Sequence, residues 1–248
     1  VTGFYVTLKR ELASSWFTPL AWILLVLLVM LQGVTFSSIL ATFAEGAESA
    51  PDGGPLEAFF GHGALIPLVY SFVCPALTMR SFAEERRTGT IENLLSAPVS
   101  VSGIVAGKYT AAVISFSLLW CPSIAYPLML DQVMRIDWRV VGTSYLGVLG
   151  LGAGFIALGM LLSTLSRSQF AALALTAGII LLLGLVGLTE RVHSDGLLHN
   201  LCDHLAIQAQ LKEMSQGNIS LRRLVYDVTL IVLPLFVTTR IVSSWRWS

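Results

Sequence analysis

Charge is what this sequence has least of. Asp, Glu, Lys and Arg make up 12% of its 248 residues, about half of the roughly 25% typical of a soluble domain. Fifteen basic residues balance fifteen acidic ones, so no basic footprint for nucleic acid is present. Cysteine is scarce as well. Cys74, Cys121 and Cys202 are too few and too scattered for a disulfide framework or a zinc-ligand spacing. No G-x-x-x-x-G-K-[ST] nucleotide loop occurs. The nearest run, GIVAGK at 103–108, is one residue short and is followed by Tyr109. The apolar runs hold neither a Ser–His pair nor paired carboxylates, which argues against an intramembrane enzyme and against the ion pathways that ionisable residues in spans mark. What is abundant is apolar: 55% AVILMFWYC and a mean hydropathy of +0.76. That is the composition of an integral membrane protein.

A charge at mid-bilayer costs about 2.5–3.5 kcal/mol, so charges measure out the spans. Between Glu11 and Glu45 lie 33 uncharged residues; the intervals Glu57 to Arg80, Lys108 to Asp131, Arg139 to Arg167 and Arg167 to Glu190 hold 22, 22, 27 and 22. Each exceeds the roughly 20 residues a helix needs to cross. A sixth apolar segment has Asp227 near its start and Arg240 near its end, both able to snorkel to an interface. The expected spans are therefore 18–43, 60–80, 104–129, 140–165, 169–189 and 224–243, in one all-α membrane domain over 1–248. The first apolar stretch is too long for a signal peptide and lacks a cleavage pattern, so it is expected to stay in the membrane. With both termini inside, nine of the 15 Lys and Arg fall on the inner side, as the positive-inside rule asks.

Outside the spans three segments stand out. Phe4, Leu8, Leu12 and Trp16 recur every fourth residue, with Lys9, Arg10 and Glu11 off that face, which predicts an interfacial helix over 2–17. Residues 190–221 are expected as an outer helical hairpin. In it, Leu197, Leu198, Leu201 and Leu205 trace an apolar face fit for an extracytoplasmic accessory protein, and Ser220 is a candidate N-cap for the last span. His193, His199, Cys202 and His204 lie in the same hairpin and suit copper or zinc, but the leucine face favours a plain amphipathic helix, and no metal is expected. Gly150 and Gly154 form a Gly-xxx-Gly pair for packing within one subunit, and Gly103 with Gly107 a second such face.

The third segment is 81–100, between spans two and three on the inner side. Glu84, Glu85, Arg86 and Arg87 crowd its first half, Gly89 interrupts it, and Ile91, Leu94 and Leu95 follow at helical spacing before Pro98. A short helix with charged and apolar faces fits a groove on a soluble partner; a solvated loop is the plainer reading of the residues alone.

The run FAEERRTGTIENLL at 82–95, with APVS at 97–100 and a later Gly107-Lys108, resembles the cytoplasmic signature of type-2 ABC transporter permeases, F-A-E-E-[KR]-x-x-G-T-[IL]-E-x-L-L-x-x-P-[VL]-[ST]. Residues 152–167 and 204–247 are similar to the fourth span and last segment of the gliding-motility-type subfamily; the extra His and Cys of the outer hairpin depart from it. The resemblance implies six-helix half-transporters paired two-fold with a second copy or a paralogue in the bacterial plasma membrane. It makes 81–100 the coupling helix, docked on a separate ATP-binding subunit through Phe82, Glu84, Glu85, Arg86, Arg87, Gly89, Thr90, Ile91, Glu92, Leu94 and Leu95. ATP and magnesium then belong to that partner and no cofactor to this chain. The product is export or mechanical transmission. The rival reading is a secondary transporter or intramembrane enzyme without an ATPase.

Overall fold

The computed structural model describes residues 2–46, 54–62, 65–91, 100–189 and 206–245, and among them every regular element is a helix. In chain order these are α1 (Thr2–Phe17), α2 (Pro19–Ala44), the single turn α3 (Pro55–Glu57) running into a π-helical turn at Ala58–His62, α4 (Leu65–Thr78) and α5 (Ala83–Thr88). Then follow α6 (Val101–Trp120), a 3₁₀ turn (Cys121–Ile124), α7 (Ala125–Asp131), α8 (Trp138–Leu165), α9 (Gln169–Thr189), α10 (Ile207–Ser215) and α11 (Leu221–Ser244). Five stretches are long and apolar enough to cross a membrane: Pro19–Ala44, Leu65–Thr88, Val101–Asp131, Trp138–Leu165 and Leu221–Ser244. With α9 as a further apolar helix of 21 residues, the chain is a multi-pass membrane protein.

The break between α6 and α7 has a chemical cause. Pro122 and Pro127 lack the N–H that the helical ladder requires, and the backbone tightens to a 3₁₀ turn at Cys121–Ile124. The last span starts three residues earlier than its hydropathy suggests, taking Arg222 and Arg223 into α11.

The hub is α8, of which 67% is buried along its span, against 22% for α2 and for α11. Lipid supplies no hydrophobic drive between helices, so close backbone approach has to do the holding. A Cβ at Gly154 would stand 2.5 Å from Leu230 Cδ2 of α11, one at Gly150 3.0 Å from Asp227 Oδ2, and one at Gly152 would overlap the Phe116 ring of α6. The Gly-xxx-Gly pair thus packs α8 on α11 inside the subunit. From α4, the buried Tyr70 hydroxyl donates to the Val148 carbonyl of α8 at 2.9 Å. Gly103 and Gly107 play the same part for α1: a Cβ at Gly107 would meet Thr7 Cβ at 3.0 Å and the Phe4 carbonyl at 3.1 Å. Helix α1 accordingly lies on α6 with Thr7 buried and Phe4, Leu8, Leu12 and Trp16 half-buried. Glu11 corrects the sequence reading. It turns inward, because Lys108 waits there.

At the opposite end of the bundle, α10 packs across α8, and Thr143 Oγ1 donates to the Met214 carbonyl at 2.8 Å. It closes at Gly217 (φ 80°), where the Gly217 and Asn218 amides donate to the Met214 and Glu213 carbonyls in a Schellman ending. Ser220 is the N-cap residue of α11, but its side chain makes no cap bond; it reaches Glu213 Oε2 at 3.4 Å. Asp227 does not snorkel. It is 5% exposed and accepts from Gln210 Nε2 at 2.8 Å, because α10 covers that turn of α11 and supplies a donor.

Candidate functional site

The site is built around α5, at the end of the bundle that also holds α1 and the end of α8. Helix α5 is only six residues long, with Glu84 and Glu85 in its first turn and Arg86 in its last, and Gly89 (φ 70°) ends it in the left-handed conformation. Charges so placed complement the helix dipole, yet six residues cannot sustain a helix alone. The Phe82 side chain provides no cap. Ser163 of α8 substitutes for one: its Oγ accepts from the Phe82 amide at 3.2 Å and the Ala83 amide at 3.1 Å, and donates to the Met79 carbonyl at 3.4 Å. One hydroxyl from a distant helix fixes the turn between α4 and α5.

Side chains of α5 and of Phe82 before it then tie it to α1, α6, α8 and α11. Phe82 is wholly buried in a small cluster with Val105, Met160 and Val242. Arg86 Nη1 donates to the Thr164 carbonyl at 2.9 Å, while its guanidinium lies 4.7 Å from the Trp245 ring centroid. Glu85 Oε1 receives Lys108 Nζ at 2.8 Å and Arg10 Nη2 at 3.2 Å. The same Lys108 ammonium reaches Glu11 Oε1 at 2.9 Å, Arg10 reaches it at 3.1 Å, and Lys108 sits 5.3 Å from the Phe82 ring centroid. The Lys108 side chain is 2% exposed. Two carboxylates on one buried ammonium compensate a charge that would otherwise be costly in so dry a place. Burial by itself would raise the Glu11 pKa, but the neighbouring Lys108 and Arg10 charges and hydrogen bonds prevail and hold it below the ordinary carboxylate value.

The expected docking residues therefore divide. Phe82, Glu85 and Arg86 face the body of the protein, and Ile91 packs beside the Phe82 cluster. Arg87, Thr88, Gly89 and Thr90 are exposed, and Glu84 is partly so, with Oε2 4.0 Å from Arg80 Nε. Glu92, Leu94 and Leu95 lie outside the described residues, as do Leu197, Leu198, Leu201, Leu205 and the His193, His199, Cys202 and His204 group. Among the described residues no three His, Cys, Asp or Glu side chains converge as a metal site would require. Sequence reasoning did not find Ser163, Thr164 or Trp245, which stand about 80 to 160 residues from α5 and carry no local signal. The sequence marked Lys108 as a charge at the inner end of a span and as part of a Gly-Lys pair, not as a partner of α5.

The other end carries a second polar group and a cleft. Glu213 and Arg223 join by two bonds of 3.3 Å, and Leu56, Leu130, Ile136, Val140 and Gln216 contribute to a cleft of about 270 Å³.

Two comparisons bear on this arrangement. No curated protein matches the chain. Residues 53–192, more than half of the chain and including α5 with its Ser163 cap, match the family model described as ABC-2 family transporter protein. A multi-pass bundle with a charged helix braced at one end, together with that match, means that the chain belongs to the ABC-2 family of transporter proteins.

Proposed function

We propose that this chain is the permease subunit of an ATP-binding cassette transporter, and that α5 with the residues following it is the coupling element on which a separate ATP-binding subunit docks. ATP and magnesium belong to that subunit, whose dimerisation pushes on α5. One observation carries the reading: α5 is joined by side-chain bonds to α1, α6 and α8 and by Arg86 to Trp245 after α11. An isolated surface loop needs no such bracing, whereas a lever that passes force into several spans does. Phe82, Glu85 and Arg86 are then the roots of the lever, and Glu84, Arg87, Thr90 and the stretch through Glu92, Leu94 and Leu95 its docking surface.

In this reading α9 is a sixth span, both termini are cytoplasmic, and the permease pairs with a second copy or a paralogue in a bacterial plasma membrane, on the gliding-motility pattern. Its product is export or mechanical transmission. The hairpin containing Leu197, Leu198, Leu201 and Leu205 faces outward and offers a ledge to an extracytoplasmic protein.

The test coexpresses the chain with the ATP-binding subunit encoded nearest to it. Glu84→Ala/Arg87→Glu alters exposed charges only and is expected to insert normally but to lose permease-stimulated ATP turnover. Normal copurification and stimulation of that variant refute the docking assignment.

A further inference from the structure

We infer that the elbow between α1 and α2 is a phospholipid site, in which the phosphodiester of a lipid headgroup is held by Arg80. A cavity of about 70 Å³ opens where this elbow meets the end of α4, lined by Ser14, Ser15 and Thr18 on one side, Leu24 and Leu77 below and Arg80 on the other. That is room for a handful of waters or for one tetrahedral phosphate. Its chemistry is graded: hydroxyls and a guanidinium at one end, leucines at the other. A lipid has the same gradient at its glycerol, where the phosphate meets the first methylenes of the acyl chain.

The depth of this cavity in the membrane is fixed independently. Trp16 and Trp22 stand edge to face across the elbow, with ring centroids 5.9 Å apart, and Trp22 Nε1 donates to the Trp16 carbonyl at 3.1 Å. Trp22 is 56% and Phe17 89% exposed. A tryptophan exposed as Trp22 is marks the headgroup level of a bilayer, which sets the mouth of the cavity where lipid phosphates are.

Charge favours an anion at Arg80. Glu11 also lines the cavity, but its carboxylate is engaged by Lys108 and Arg10. The ion contact of Arg80 itself is with Glu84 at 4.0 Å, between two side chains each more than 40% exposed, which holds neither firmly. A guanidinium matches a phosphodiester bidentately where an ammonium cannot. Thr18 and Ser15 hydroxyls donate to the Ser14 and Glu11 carbonyls, which leaves their oxygens as acceptors in the cavity lining for a headgroup hydroxyl or amine. A lipid seated here bridges the elbow to the turn that leads into α5.

The test is native mass spectrometry of the full chain, purified in detergent and delipidated stepwise, with thermal melting to confirm that each variant is folded. Wild type is expected to retain one phospholipid per chain. Arg80→Gln is expected to lower the retained fraction about tenfold, the scale of one charge-assisted contact, and Ser14→Trp, at an exposed position, to do the same by filling the mouth. Lys9→Gln, an exposed charge outside the cavity, is expected to retain lipid as wild type does. The assignment is overturned if wild type retains none, if Arg80→Gln retains lipid fully, if Lys9→Gln loses as much, or if inorganic phosphate replaces phospholipid at equal concentration.

Discussion

Replacing Lys108 by Met removes an ammonium and leaves the apolar stem nearly intact. Two carboxylates then face one another with less compensation: Glu11, 22% exposed, and Glu85, 14% exposed. Breaking a buried pair by taking one partner away costs about 3–5 kcal/mol. Arg10 stays within reach of both acids, at 3.1 and 3.2 Å, but is itself 58% exposed and returns only part of that. The expected net loss is about 2–3 kcal/mol, or a fall in Tm of about 4–12 °C for a chain of this size. The assay is thermal melting in detergent, followed by the rate at which a cysteine replacing Phe82 reacts with a thiol reagent. The decisive control is Lys108→Met/Glu11→Gln/Glu85→Gln, which removes the charges together. It is expected to recover most of the stability, because neutral amides can bond to one another. A loss below about 0.5 kcal/mol, as for exposed pairs, or a triple variant weaker than the single one, refutes the claim that compensation of buried charge holds α5 in place.

Acid should loosen the same joint. The depressed Glu11 pKa gives stability that is present above its ordinary value of 4.5 and is lost as pH falls through the lower folded value; hydrogen exchange in α1 is expected to rise on acidification below about pH 4.5 and to lose much of that response in Glu11→Gln. Gly152→Ala places a methyl group into the buried Phe116 ring and is expected to cost about 1–3 kcal/mol in a melt, partly recovered by Phe116→Leu. Single cysteines at Arg87 and at the 87% exposed Val133 are expected to react with an impermeant thiol reagent from opposite sides of the membrane; labelling from one side refutes the topology.

How much of this was legible depended on the range of the interaction concerned. Lipid penalises each charge locally, so the uncharged intervals of the sequence coincide with apolar helices, and the 3₁₀ turn at Cys121–Ile124 follows from prolines in the sequence. Gly89 ends α5 for a reason internal to its own residue. The brace was not legible in the same way. By spacing alone, Glu11 falls off the apolar face with Lys9 and Arg10; what turns it inward is an ammonium 97 residues away. Asp227 was expected to reach water, and the amide that keeps it inside comes from another helix. A charge with a tertiary partner looks, in sequence, like a charge without one.

The cap that Ser163 places on α5 has a consequence for the order of synthesis. Its acceptor oxygen is encoded 81 residues after the Phe82 amide it satisfies. At about 5–20 residues per second, the ribosome makes the Phe82 amide roughly 4–16 s before that oxygen exists. During the interval the turn has two unpaired amides and Arg86 lacks its Thr164 carbonyl, although Arg10, Glu11, Glu85 and Lys108 are already made. A nascent chain therefore lacks the contacts that fix α5 until α8 has been made. A truncation ending before Ser163 and a full-length Ser163→Ala chain should share the same loosened segment in limited proteolysis. The turn that carries α5 is completed late, when most of the helices it joins are already present.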